Sequence, residues 1–283
     1  MKNLLLVFIF IFSHNQVVSQ DLLKKDLPAS KIYIVGVIHS KNKLRNTDSL
    51  YKILTKIKPD LILSEDDTLS GFFKKDYTFR PLTWKTKLLQ RLHIIEQNSP
   101  EISVLSEYKY HNNSVSICPF DMYIPNKRQY ISNYYKNEKE WVGILNSAFA
   151  NNEIPTKLMP LQYDFAKYSN WLYNFSELGY FEMNQKIVGD SIRQMMAFEE
   201  IYFPKVIDSV KRLNRFKGYK VENSSFWKLR NETMAKNILR FIEMKKAKRI
   251  VIFTGLLHKY YLIDLLTKRK TESNIELVEY YEE

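Results

Sequence analysis

Cysteine occurs once in the 283 residues, as Cys118, so the chain has no internal disulfide and must draw its stability from its core. Glycine is nearly as scarce, with 7 positions. That excludes collagen-like repeats and flexible glycine-rich linkers, since ordinary usage is about 7%. Long apolar runs are missing too. Leu4 to Phe12 stops well short of the roughly 20 residues that cross a bilayer, and no later stretch approaches that length. What remains is ordinary globular material, 45% hydrophobic, 26% charged and 14% aromatic, which excludes intrinsic disorder and a coiled-coil rod.

Acidic residues are outnumbered 31 to 43, giving a net charge of +12. Such an excess favours nucleic acid, anionic membrane surfaces or acidic ligands. The lysines are dispersed, however, and the densest runs, Lys205 to Lys220 and Lys236 to Arg249, alternate with apolar residues at helical spacing. They read as solvated helix faces. No zinc finger, RNA-binding signature or basic zipper accompanies them, so no nucleic-acid partner is expected.

The basic start Met1-Lys2-Asn3, the apolar run and the exit Val17-Val18-Ser19-Gln20 read as a secretory signal peptide over residues 1–20. Residues 21–283 are then expected as one exported domain, periplasmic or secreted, without a stable membrane anchor. Cys118 lies in an apolar strand-like run, where a thiol is expected to be buried and inert.

Short apolar strands are expected at Lys31–Val35, Leu61–Leu63, Ser114–Phe120, Arg249–Thr254 and Ile275–Tyr280. Helices are expected between them: from a Thr47 cap to about Lys58, over Trp84–Gln97, from Pro100, and over His258–Thr267. Lys127 to Lys245 reads as mostly helical, with breaks near Pro155, Pro160, Gly179 and Gly218 and a last helix over 225–245. This alternation predicts an α/β fold, a mainly parallel sheet flanked by helices. The core is expected over about 30–122 and 225–283, with a large helical insertion or cap over about 125–222.

Two segments echo each other from opposite ends of the chain. Ile32 to Val35 is followed by Gly36-Val37-Ile38-His39, and Ile250 to Thr254 by Gly255-Leu256-Leu257-His258. Both read as a strand followed by G-x-x-H. Ligands of open α/β sheets bind beyond the carboxyl ends of the strands. Glycine would let the backbone turn out of the sheet, and each histidine would then stand over the strand ends. His258 opens a helix, whose dipole favours the neutral imidazole that a metal ligand or general base requires. Glu65 and Asp121 follow the second and third strands in equivalent positions, whereas Asp66 and Asp67 read as surface acids or caps. Two imidazoles and one or two carboxylates could hold a divalent ion or form a metal-free acid/base set. Arg230 extends the inward stripe of Met234, Ile238 and Phe241, so it should pair with a carboxylate or steady an anionic species. His93 and His111 read as surface residues.

These residues resemble the TraB/TIKI-like family within the erythromycin-esterase/ChaN-like superfamily. The resemblance rests on Gly36 to His39, Glu65, the helix Arg230-Asn231-Glu232-Thr233-Met234-Ala235-Lys236-Asn237, Gly255 to His258, and Pro119-Phe120-Asp121-Met122. It covers the two flanks, about half of the chain, and departs from the family at Asn231, where an Asp is usual. It implies a polar site at the strand ends. The TIKI branch carries out metal-dependent proteolysis, the esterase branch hydrolyses a lactone without an established metal, ChaN-like relatives bind haem, and TraB-type members modulate peptide signals.

The expectation is therefore an exported hydrolase acting on a peptide, amide or ester bond. His39, His258 and Glu65 would hold a divalent ion such as Mn, Co or Zn. Glu65 or Asp121 would relay a proton, and Arg230 would stabilise the oxyanion. The alternative is a non-catalytic protein binding a peptide, haem or a hydrophobic ligand on the same scaffold.

Overall fold

The computed structural model describes residues 28–38, 44–67, 71–92, 94, 98–173 and 177–283. The expected signal peptide, His39 and His93 lie outside them.

The order of elements is β1 (Ser30–Val37), α1 (Thr47–Ile57), β2 (Leu61–Ser64), α2 (Trp84–Arg91), α3 (Pro100–His111) and β3 (Ser116–Pro119). A helical stretch follows: α4 (Lys127–Ala150), α5 (Met159–Tyr173), α6 (Tyr180–Met183), α7 (Lys186–Ser209) and α8 (Lys217–Lys245). The chain closes with β4 (Arg249–Gly255), α9 (Leu256–Thr267), α10 (Lys270–Ser273) and β5 (Ile275–Leu277). The five strands form one all-parallel sheet in the order β3-β2-β4-β1-β5, flanked by helices.

The strands form where short aliphatic runs can be buried on both faces. Tyr33, Val35, Val37, Ile62, Val251 and Phe253 face one core, with Leu50 and Leu54 of α1 and Val104 and Leu105 of α3. Ile32, Ile34, Leu61, Leu63, Ile250 and Ile252 face the other, with Met234, Ile238 and Phe241 of α8 and Leu262 and Leu266 of α9. A third cluster around Trp141, Tyr202, Val206 and Phe216 joins α4 and α7 to the residues before α8. Cys118 is buried as expected, which pushes its thiol up to about 11.

The decisive placement is that of β4. It lies between β2 and β1, with Gly36 opposite Thr254 and Val37 opposite Gly255. The chain's two flanks thus meet in one register, and the carboxyl ends of β2, β3 and β4 share one rim.

Several local expectations change. Asn46, not Thr47, caps α1, its side chain accepting from the Ser49 amide. α2 ends at Arg91 with Leu92 as its C-cap, and residues 95–97 of the expected helix lie outside the described residues. The break expected near Pro160 is the boundary at which α5 opens, with Pro160 in its first turn, in keeping with a proline's fixed φ. The last helix, α8, begins at Lys217 and not at about 225, beside the break expected near Gly218.

Gly36 does not turn the chain out of the sheet either. It is still within β1, and a Cβ there would meet Leu256 Cδ1 at 2.9 Å and Leu256 Cα at 3.3 Å. Glycine is needed for close approach of α9 to the strand. The buried Asn184 completes that contact, accepting from the Gly36 amide at 2.7 Å and donating to its carbonyl at 3.0 Å. A side-chain amide thereby does what a neighbouring strand would do.

Candidate functional site

Four elements converge on the rim. β2 delivers Glu65, β3 delivers Asp121, α8 delivers Arg230, and the first turn of α9 delivers His258. Arg230 lies between the others. Its Nε and Nη2 donate to the Asp121 carboxylate at 2.8 and 3.0 Å, a two-pronged pairing. Nη2 also donates to Glu65 Oε1 at 2.7 Å, and Nη1 faces His258 Nε2 at 3.1 Å. The inward stripe read from the sequence holds: Met234, Ile238 and Phe241 are buried beneath the arginine.

A guanidinium has no acceptor, so His258 Nε2 must offer its lone pair to Arg230. The other side of the ring agrees. Asn231 Nδ2 donates to the Trp227 carbonyl at 2.8 Å, which leaves Asn231 Oδ1 to accept from His258 Nδ1 at 2.7 Å. Both contacts call for the same tautomer, with the proton on Nδ1. The Trp227 ring stacks on the imidazole at 4.1 Å and 19°. His258 is thus held at both nitrogens and on one face.

The carboxylates are held as firmly. Glu65 Oε2 accepts from Thr254 Oγ1 at 2.8 Å and from the Gly255 amide at 2.6 Å. Burial alone would raise the Glu65 carboxyl; the Arg230 charge and the Gly255 amide oppose it, and the carboxyl is held below its ordinary value. Asp121 is likewise buried, yet Arg230, Lys127 and the Met122 amide keep it low. Lys127, at the start of α4, bridges Asp121 at 3.3 Å and Asp67 at 3.0 Å. Asp67 is therefore a buried partner of the site and not a surface acid. Asp66 accepts from Ser64 Oγ at 2.8 Å, and burial raises its carboxyl.

The structure thus brings together Glu65, Asp121, Arg230 and His258, while His39 lies outside the described residues. His111 is exposed at the end of α3, as expected. Sequence reading missed Trp227, Lys127, Asp67 and Thr254. Trp227 had one available signal, its position one turn before Arg230 on the same helix.

The site bears directly on the divalent ion that the resemblance implies. Of its three expected ligands, His258 Nε2 and Glu65 Oε1 lie 3.6 Å apart, and both face Arg230. An ion bridging them would have to take the place of a fixed positive charge. In the structure the Arg230 guanidinium fills the space between these two groups, and the third expected ligand, His39, lies outside the described residues. Among the described residues, no group of three His, Cys, Asp or Glu could hold one.

No known family, curated protein or solved structure matches the chain.

Proposed function

We propose that the chain is an exported hydrolase that cleaves an ester, lactone or amide bond at the carboxyl rim of the sheet without a metal. The observation behind this is the 3.1 Å contact between Arg230 Nη1 and His258 Nε2. A substrate carbonyl entering beside it exchanges that hydrogen bond for one to its own oxygen. One exchange then does two things: it sets a guanidinium donor on the developing oxyanion, and it frees the Nε2 lone pair.

His258 Nε2 takes a proton from water as the water oxygen bonds to the carbonyl carbon. The proton passes to the leaving oxygen or nitrogen as its bond to that carbon breaks. Arg230 and His258 are the catalytic residues in this reading. Glu65, Asp121 and Asn231 are positioning residues, because their oxygens are already engaged by Arg230, Thr254, Lys127 and His258. The expected proton relay by Glu65 or Asp121 is not needed.

The resemblance to the TraB/TIKI and erythromycin-esterase/ChaN-like superfamily supports the same reading, with residues 125–222 as the helical insertion. Its esterase branch, for which no metal is established, suits the Arg230 arrangement best, which moves esters and lactones ahead of peptides. A second reading, a non-catalytic ligand-binding protein, is favoured by the closure of the network, in which the acceptors facing Arg230 are all occupied.

A panel of activated esters, lactones and peptides, assayed with wild type, His258→Ala and Arg230→Lys, separates the two. Hydrolysis falling about 10²–10⁴-fold in His258→Ala supports the enzyme. Absence of turnover across the panel overturns it and leaves the binding protein.

A further inference from the structure

The helix α2 is built inside out. Its side chains Trp84, Leu88 and Leu92 follow i, i+4 spacing and form one stripe. That stripe faces solvent: Trp84 is 70% exposed, Leu88 45%, Leu92 59%, and Ile94 just beyond 64%. The half-buried side carries Thr86, Lys87 and Gln90, and no residue of α2 is buried. A helix of a soluble domain ordinarily turns its apolar stripe inward.

The segment is nevertheless fixed to the domain. Thr83 caps α2 by accepting from the Thr86 amide, and the Leu82 amide donates to Ser106 Oγ of α3 at 3.1 Å. Phe73 and Phe79, bridged across a turn just before it, are both buried. The outward stripe is therefore displayed by an anchored element.

Charge identifies what it meets. From Tyr77 to Ile95 the sequence contains no Asp or Glu, while Arg80, Lys85, Lys87 and Arg91 are cationic. Lys85 flanks the apolar stripe on one side and Arg91 on the other, both exposed. An exposed Trp and leucines between basic residues, on a chain of net charge +12, match an anionic lipid interface, where the rings enter the headgroup boundary and the cations remain above it. A two-fold pairing of this face with a second copy would set the same cations against one another. No described helix is long and apolar enough to cross a membrane, so the contact would be peripheral.

We propose that α2 docks the protein reversibly on an anionic phospholipid surface through Trp84, Leu88 and the adjoining Leu92, with Lys85 and Arg91 facing the headgroups.

The test uses the full chain with vesicles of phosphatidylcholine alone or mixed with phosphatidylglycerol, both with brominated acyl chains. The expected result is binding about tenfold or more tighter to the anionic vesicles at low salt, weakened as salt rises. Bromine quenching of tryptophan emission should occur in wild type and be lost in Trp84→Phe. Leu88→Glu/Leu92→Glu and Lys85→Glu/Arg91→Glu alter only exposed side chains, so they should fold normally by circular dichroism and lose the anionic preference. Equal binding by wild type and both variants, or quenching unchanged by Trp84→Phe, overturns the proposal. So does a solution dimer that Leu88→Glu/Leu92→Glu converts to monomer, since the occupant is then a second copy.

Discussion

Arg230 Nη1 stands 3.1 Å from His258 Nε2 and fixes that nitrogen as an acceptor, while Asn231 Oδ1 at 2.7 Å fixes Nδ1 as the donor. In ¹⁵N-labelled protein at neutral pH, His258 should therefore show a protonated Nδ1 and an unprotonated Nε2. Replacing Asn231 by Leu removes the Nδ1 acceptor and should shift the ring toward a mixture of tautomers. An Nε2–H tautomer in the wild type would contradict the geometry described.

Arg230 also neutralises two buried carboxylates. In Arg230→Met, Glu65 and Asp121 are left facing each other without their shared cation, and truncating one partner of a buried pair costs about 3–5 kcal/mol. Urea unfolding should register a loss of that size. A loss below about 1 kcal/mol, the range of solvent-exposed pairs, would mean the cluster is more hydrated than its burial indicates.

The same cluster sets the acid limit of stability. Glu65 and Asp121 are held below their ordinary values, so the unfolded chain binds more protons in the acid range and stability rises with pH there. Their contribution is complete above the ordinary carboxylate values of about 4. It is lost as pH falls through their lower folded values. Asp66, raised by burial, works in the opposite sense and offsets part of this, because its share is lost as pH rises through its folded value. Urea midpoints between pH 2 and 6 should climb with pH in the wild type and climb less in Asp121→Asn. Equal slopes would remove Asp121 from the account.

A second titration belongs to the helical stretch. Glu199 on α7 is pushed up to about 7 by burial, with Glu138 adding to the rise and Lys220 opposing it. A raised carboxyl contributes stability that is complete below its ordinary value and fades as pH rises through about 7. The melting temperature should therefore fall by a few degrees, roughly 2–4 °C per kcal/mol, between pH 6 and 8. Glu199→Gln should flatten that fall. A wild-type melting temperature unchanged over this interval would place Glu199 in water.

The sheet was legible because its strands are short aliphatic runs buried on both faces, such as Ile250 to Phe253, which leave few other readings. The echoed G-x-x-H segments correctly announced that the two flanks meet. Arg230 was legible for a different reason, since a cation in line with Met234, Ile238 and Phe241 needs an inward partner. Its partners were harder to assign. Lys127 and Asp67 are separated by 60 residues, and each alone looks like a surface charge. Asn184 contacts Gly36 across 148 residues, a pairing to which no local pattern points. Gly36 stands out by its scarcity but not by its purpose, because close approach and a chain turn select the same residue. α2 was legible as a helix, but its orientation was not: periodicity shows that a stripe exists and not which way it faces.

The account turns on Arg230 standing between Glu65 and His258, two of the expected ion ligands, and on His258 acting beside it. The most direct test is ester and lactone hydrolysis by chelator-stripped protein, measured before and after adding Mn, Co or Zn, in wild type and His258→Ala. The predicted result is wild-type turnover that survives the chelator, gains nothing from the metals and disappears with His258. Turnover that appears only with added metal, together with one bound equivalent that His258→Ala loses, would contradict it.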